Sequence, residues 1–280
     1  MKRTFLFREG QVAYQQKGKG RAVFLLHGFM ESSAIWNYYI TTLSQYFRVI
    51  TIDLPGHGDT DCYGYVHSME MMADCVHALM RHLNLRKIFL VGHSMGGYVS
   101  LAFAEHYPDH VKGICLFHST SRSDDEPKKK NRDKAIKVIK RNPSVFINES
   151  VPNLFFRKYK SYGHAIARMK RMAHKNPVQG ILANLEGMKS RTDRSILIRF
   201  APYPILFIAG KEDNVLPYED QLRLSELSYH SRVFLLEDVG HMGFIEAREQ
   251  CWIALKSFIQ RPEKFVSNVQ DHLAAADRSK

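Results

Sequence analysis

Cysteine is sparse and unpaired in this chain. Cys62, Cys75, Cys115 and Cys251 are scattered over 280 residues with no C-x-x-C spacing, and two of them fall inside apolar periodic runs. Disulfide and zinc frameworks are therefore weak readings, and a reducing cytoplasm is the simpler home. Long apolar runs are also missing. The N-terminal MKRTFLFREG has three apolar residues before Arg8 and Glu9, far short of a signal-peptide core, and no run approaches a membrane span. Integral membrane association is not expected. There is no internal repeat, and no low-complexity run beyond Lys128-Lys129-Lys130. Acidic residues are outnumbered, 28 Asp and Glu against 40 Lys and Arg, for a net charge of +12. No known nucleic-acid-binding motif accompanies that charge, so nucleic acid is not an expected partner.

A hydrophobic content of 45% supports a sizeable core, and the length suits one large α/β domain with an insertion or two modest domains. The most informative stretch is Lys87 to Tyr107, KIFLVGHSMGGYVSLAFAEHY. Ile88 to Val91 reads as a short buried strand, and Val99, Ala102, Phe103 and Tyr107 recur at helical spacing. Between them stands Gly92-His93-Ser94-Met95-Gly96, a G-x-S-x-G in the strand–turn–helix context that makes Ser94 a candidate nucleophile. Glycine at 92 and 96 lets strand and helix approach closely, so that Ser94 can hold a strained backbone with its hydroxyl outward. The rival reading of Ser94 is an ordinary helix N-cap.

The rest of the chain alternates in the same way. Thr4 to Arg8 and Gln11 to Gln16 predict a hairpin; Ala22 to Leu26, Arg48 to Ile52 and Val111 to Phe117 predict buried strands. Helices are expected after Ser33 to about Ser44 and from Met69 to Leu83. From about Ser121 to Phe200 the rhythm breaks into helical patterns interrupted by Pro143, Pro152, Gly163, Pro177 and Gly187. Alternation resumes with strands at Pro204 to Ala209 and Arg232 to Leu236, and with helices at Glu219 to Leu227 and Ile245 to Ile259. A mostly parallel, doubly wound sheet with right-handed crossovers follows.

A nucleophilic serine needs a histidine to take its proton and a carboxylate to orient that histidine. Lys211-Glu212-Asp213 and Asp238-Val239-Gly240-His241 both follow predicted strands, where ligands gather in open α/β sheets. Asp213 and His241 are the favoured partners, with Glu212 and Asp238 as rivals for the acid. His27, His93 and His118 also fall at strand ends; packing and hydrogen bonding are favoured for them over catalysis. His57, in a glycine-rich turn, reads as a loop-fixing residue.

The chain resembles the α/β-hydrolase superfamily. The resemblance rests on His27-Gly28-Phe29, Asp53-Leu54-Pro55-Gly56-His57-Gly58, Gly92-His93-Ser94-Met95-Gly96-Gly97, Gly210-Lys211-Glu212-Asp213 and Gly240-His241. It implies a core of residues 1–120 and 201–262 and a helical cap at 121–200, while the residues after Pro262 read by their composition as a polar tail, 263–280. The resemblance also implies nucleophile Ser94, acid Asp213, base His241, an oxyanion hole from the Phe29 and Met95 N–H groups, and neither a cofactor nor a metal. Aspartate-nucleophile branches such as haloalkane dehalogenases and epoxide hydrolases are disfavoured by the serine. The expected activity is cleavage of a small or medium carboxylic ester or related acyl compound. Carbon–carbon hydrolysis or acyl transfer on the same triad, and a non-catalytic receptor or scaffold, remain open.

The insertion holds 20 Lys and Arg against 7 Asp and Glu, net +13, while the remainder of the chain sums to −1. Solvated lysines are the plain reading of that charge, and attraction of an anionic substrate is the functional one. Phe155, Phe156 and Met188 are the insertion's candidates for substrate contact. Met30, Met242, His27, His93 and His118 are those of the core.

Overall fold

The computed structural model describes residues 2–156 and 158–265, so most of the expected polar tail, from 266 on, lies outside the described residues. The continuous apolar runs become strands covered on both faces, as parallel strands must be. These are β3 (Ala22–Leu26), β4 (Arg48–Ile52), β5 (Ile88–His93) and β6 (Val111–Phe117), each almost entirely buried. Ahead of them β1 (Arg3–Phe7) and β2 (Gly10–Lys17) form the expected hairpin, with Arg8 at the left-handed φ of 52° that a tight turn requires. The first helices are α1 (Asn37–Leu43), α2 (Met69–His82) and α3 (Met95–His106).

Five helices then run without a strand: α4 (Glu126–Arg141), α5 (Pro143–Ser150), α6 (Lys158–Lys175), α7 (Val178–Ser190) and α8 (Ser195–Arg199). The sheet resumes with β7 (Ile205–Gly210), α9 (Tyr218–Ser225) and β8 (Ser231–Leu236), and the chain closes with α10 (Gly243–Glu246) and α11 (Arg248–Gln260). Strand order is β1-β2-β4-β3-β5-β6-β7-β8, antiparallel through β2/β4 and parallel from β4 to β8. The step from β3 to β4 runs opposite to every later step. Right-handed crossovers therefore place α1 on one face and α2, α3 and α9 on the other. The order reverses at β3, and the crevice beyond the carboxyl ends of β3 and β5 is where a ligand site is expected.

Beneath that crevice Trp36, Tyr39, Phe117 and Phe244 pack without solvent contact, Trp36 lying 5.5–6.0 Å from the other three ring centroids. Each such side chain contributes roughly 1.5–3 kcal/mol of burial free energy, which makes the floor of the crevice a rigid platform.

Three local expectations are revised. Gly187 does not interrupt a helix; it lies inside α7, where a Cβ would come 1.7 Å from the His67 carbonyl oxygen. Together with Gly180, whose Cβ would lie 2.3 Å from the Gly56 carbonyl oxygen, it lets α7 rest directly on the backbone of the loops after β4. The final helix breaks at Ala247 (φ −132°, ψ 44°), because the Glu246 carboxylate turns back to accept from the N–H groups of Gly240 and Met242. Phe265, assigned to the tail, packs on Phe258 with ring centroids 5.3 Å apart. Among the described residues no helix is long and apolar enough to cross a membrane.

Candidate active site

Ser94 stands between β5 and α3 at φ 49°, ψ −113°, a conformation that costs an L-residue of order 1–3 kcal/mol. Three hydrogen bonds hold it there. Its N–H donates to Phe117 O at 2.9 Å, and its carbonyl accepts from the Ser119 hydroxyl at 2.7 Å and the Gly97 N–H at 2.9 Å. A Cβ on Gly92 would lie 2.2 Å from Gly96 O, and one on Gly96 would lie 2.4 Å from Leu26 O, so neither position admits a side chain. The Ser94 hydroxyl makes no capping bond to the helix. It faces a cavity of about 340 Å³ that His241 also lines.

His241 is 3% exposed, and its Nδ1 lies 2.8 Å from Asp213 Oδ2. A carboxylate only accepts, so Nδ1 carries the proton and Nε2 keeps its lone pair. The other carboxyl oxygen, Oδ1, accepts from the Val215 and Leu216 N–H groups at 2.8 and 3.0 Å. Burial pushes the Asp213 carboxyl up, but the facing His241 and His118 outweigh it and hold it well below the usual carboxylate range. Asp213 is thus a fixed anion with its geometry set from both oxygens. The rival acids Glu212 and Asp238 are both exposed.

The loop after β3 is braced from below. Met30, at φ 59°, donates its N–H to His57 Nε2 at 3.1 Å, and Leu54 N–H donates to His27 Nε2 at 2.9 Å. Burial depresses the pKa of both imidazoles, so they act as neutral acceptors. Asp53, the first residue after β4, accepts from the N–H groups of Ser33 at 2.7 Å and Asp59 at 3.0 Å and from Lys2 at 2.7 Å. Among the described residues the Phe29 N–H donates to no backbone acceptor. The Met95 N–H belongs to the first turn of α3, where no intrahelical acceptor exists.

A buried ion pair joins the two sides of the site. Glu31, 3% exposed, accepts from the Gly28 N–H at 2.5 Å and from His93 Nδ1 at 3.0 Å, while His93 Nε2 donates to His241 O at 3.0 Å. Both His93 nitrogens face acceptors, so the ring is an imidazolium. Burial lowers its pKa, but the Glu31 charge and hydrogen bond outweigh burial and leave it raised. Glu31, though burial pushes its carboxyl up, is held below its ordinary value by His93.

Of the eight residues proposed for substrate contact, Met30, His93 and Met188 line the cavity. The other five are placed elsewhere. His27 lies beneath the loop after β3. His118 is fully buried and donates Nδ1–H to Asp213 Oδ2 at 3.1 Å, and burial brings its pKa to about 4. Phe155 is fully buried against Tyr162. Phe156 N–H donates to Glu246 Oε1 at 2.9 Å, and Met242 is sealed in the core. The segment 154–156 grips the His241 loop, since His241 N–H also donates to Leu154 O at 2.8 Å. His118, Asp213 and His241 could offer a metal one atom each within 4.8 Å, but a cation would replace the hydrogen bonds that both Nδ1 atoms already make to Asp213.

Sequence reasoning missed Glu31, Glu246 and the polar wall made by Asp124, Arg132 and Arg191. Glu31 left one signal, an acid two residues beyond the His27-Gly28-Phe29 turn that follows the buried strand. Asp124 left none, because Asp124-Asp125-Glu126 reads as a helix start and Asp125 is indeed the cap of α4, accepting from Lys128 N–H at 2.8 Å.

A family model described as the alpha/beta hydrolase fold matches residues 21–248, and the chain belongs to that family. It is similar to a thermophilic esterase from Thermogutta terrifontis solved with malate bound, with 29% identity and a TM-score of 0.88 over 94% of this chain and 99% of that one. It is 26% identical over 265 residues to a 2-hydroxy-6-oxo-6-(2'-aminophenyl)hexa-2,4-dienoic acid hydrolase from Metapseudomonas resinovorans, covering 90% of this chain and 88% of that protein. It is 27% identical over 254 residues to the dihydrolipoyllysine-residue acetyltransferase component of the acetoin cleaving system of Pseudomonas putida. That match takes in 86% of this chain but only 64% of the relative's length.

Proposed function

We propose that the protein is a serine hydrolase that cleaves small or medium carboxylic esters or related acyl compounds through an acyl-enzyme on Ser94. The observation that carries this reading is the strained Ser94 sharing one cavity with His241, whose Nδ1 is fixed on buried, ionised Asp213. His241 Nε2 takes the Ser94 proton as Oγ attacks the acyl carbon. The carbonyl oxygen, now an anion, accepts from the Phe29 and Met95 N–H groups; such a donor is worth on the order of a hundredfold to a thousandfold in rate. His241 then passes the proton to the departing alcohol. Water, activated by the same nitrogen, attacks the acyl-enzyme and restores Ser94. Asp213 stays ionised throughout and stabilises the imidazolium. Each step is a proton or acyl transfer that these groups perform themselves.

The insertion, residues 121–200, serves as a cap on a core of residues 1–120 and 201–262. Ester cleavage is favoured by likeness to the Thermogutta esterase over nearly both full lengths. The likeness to a dienoic acid hydrolase makes carbon–carbon cleavage a second reading for the same serine. Labelling with a fluorophosphonate, mapped by peptide mass spectrometry, tests the assignment. Ser94 should carry the label, and Ser94→Ala should carry none. An unlabelled wild-type protein would instead favour a ligand receptor or scaffold of the same fold.

A further inference from the structure

The cavity is apolar along most of its wall, from Phe29, Met30 and Tyr98 to Phe146, Leu185 and Met188. One side differs. Asp124, just before α4, faces Arg132 on α4 and Arg191 at the end of α7, and all three line the cavity, with Lys128 and Asn131 exposed at its rim. Arg132 meets Asp124 through Nε and through Nη2, the latter at 3.3 Å, and Arg191 Nη2 reaches Asp124 at 2.8 Å. One carboxylate thus sits between two guanidinium groups. The cavity's other charges do not correct the imbalance, because Glu31 is matched by the His93 imidazolium. The wall keeps one uncompensated positive charge, and two when Lys128 is counted.

The two arginines are not equivalent. Arg191 has a 4% exposed side chain and is engaged at every nitrogen: Nε donates to Arg122 O at 3.2 Å, Nη1 to Met188 O at 2.7 Å and Nη2 to Asp124, while its plane lies 4.1 Å from the Tyr98 ring centroid. It closes the insertion and fixes Asp124. Arg132, 19% exposed, has Nη1 facing, among the described residues, only Met188 Sδ at 3.6 Å, and a thioether is a weak acceptor. If the cluster served folding alone, one arginine would neutralise Asp124. The second leaves a planar donor edge directed at an apolar cavity that can admit a ligand. A carboxylate matches that edge in charge and geometry.

We propose that Arg132, backed by Asp124 and Arg191, is a carboxylate-binding subsite. The substrate is then an ester with a free carboxylate remote from the scissile bond, of which a dicarboxylic acid monoester is the simplest example. This rests on the hydrolase reading for the scissile end and adds the recognition of the other end.

The test compares 4-nitrophenyl hydrogen glutarate with 4-nitrophenyl valerate, which have equal acyl length and differ in terminal charge. For wild type, kcat/KM for the glutarate ester should exceed that for the valerate ester about tenfold or more, as one charge-assisted pair supplies. Arg132→Met should erase that ratio through KM, and Arg132→Lys, keeping charge but not the fork, should restore part of it. Lys134→Met removes a charge from the exposed side of the same helix and should leave the ratio unaltered. A wild-type ratio near one, or parallel losses on both esters in Arg132→Met, would overturn the proposal. Calorimetry of glutarate on Ser94→Ala reads the subsite without turnover, with one site expected and no binding as the overturning result. Failure of the hydrolase reading looks different: Ser94 stays unlabelled while glutarate still binds.

Discussion

The floor and the roof of the cavity are built by different means. On the floor nearly every polar side chain is anchored by backbone: Asp213 by Val215 and Leu216, His57 by Met30, His27 by Leu54, and Glu246 by Gly240, Met242 and Phe156. In the roof, charged side chains also hold one another, as in Arg132 and Arg191 on Asp124 or Lys189 on Asp133 at 2.8 Å. Some of these backbone anchors are local, as Val215 and Leu216 are to Asp213, and others tie one loop to another, as Met30 does with His57, so they fix the shape of the loops themselves. Pairs between helices depend on how the helices dock and are free to differ in charge and length. On the function proposed above, chemistry belongs to the first kind of region, and choice of substrate to the second.

The sharpest test of the floor removes its central atom. Ser94→Ala should cut esterase turnover a thousandfold or more while leaving the urea unfolding midpoint near wild type, since only one cavity-facing oxygen is lost. Turnover close to wild type on an activated ester would remove Ser94 from the mechanism. Next in size is Asp213→Asn, expected to cost on the order of a thousandfold, because an amide at Oδ2 offers His241 Nδ1 a donor and imposes the wrong tautomer. Glu212→Gln and Asp238→Asn, both at exposed positions, should change kcat/KM less than about threefold by the rule for surface substitutions. Equal losses at all three carboxylates would mean general destabilisation.

Glu31 joins the floor to the loop above it and should show in stability more than in chemistry. Glu31→Gln leaves His93 buried without its counter-charge and should lower unfolding free energy by about 3–5 kcal/mol. The pH dependence has a definite sign. Glu31 titrates lower in the folded state, so its contribution is present above its unfolded value and is lost as pH falls through the folded one. His93 titrates higher when folded, so its contribution is complete below 6.5 and is lost as pH rises through the raised value. The depressed histidines His27, His57 and His118 contribute fully above 6.5. Between about pH 7 and 8.5, before thiols titrate, wild-type stability should therefore decline while Glu31→Gln starts lower and stays flat. Parallel curves by urea unfolding would show that the pair is not ionised.

Legibility follows the same division. The strands were readable because burial on both faces leaves continuous apolar runs, and β3, β4 and β6 begin and end at the expected residues. Ser94, Asp213 and His241 could be picked out because each follows such a run, and the structure brings Asp213 and His241 into contact and Ser94 into the cavity beside His241. The split at Ala247 was not readable, since it depends on a carboxylate reaching back to the His241 loop. Phe155 and Phe156 do not line the cavity, because an apolar residue of the insertion reads the same in sequence whether it meets the cavity, the core or a loop. Arg132 was one of twenty basic residues in the insertion. Nothing in local sequence separates it from Lys130 or Lys134, which point into solvent.

The smallest expected effect concerns those solvated lysines. The insertion's net charge of +13 could draw in anions through its field, independently of any contact at Arg132. Most of its lysines are exposed on outer helix faces, however, where water screens them, whereas Arg132 and Arg191 line the cavity itself. Steering and contact respond differently to salt. The Debye length shrinks from about 30 Å at 0.01 M to about 3 Å at 1 M, so a field effect disappears over that range while a partly buried pair is weakened less. For an anionic ester, kcat/KM should fall only a few-fold across the series, against at least tenfold for Arg132→Met at constant salt. The neutral ester should stay level, and kcat at saturation should hold for both, because steering acts on encounter and not on chemistry. A salt effect as large as that of Arg132→Met would transfer substrate choice from the arginine in the cavity to the charged surface of the roof. Level curves for both esters would leave the exposed lysines with solvation as their only role.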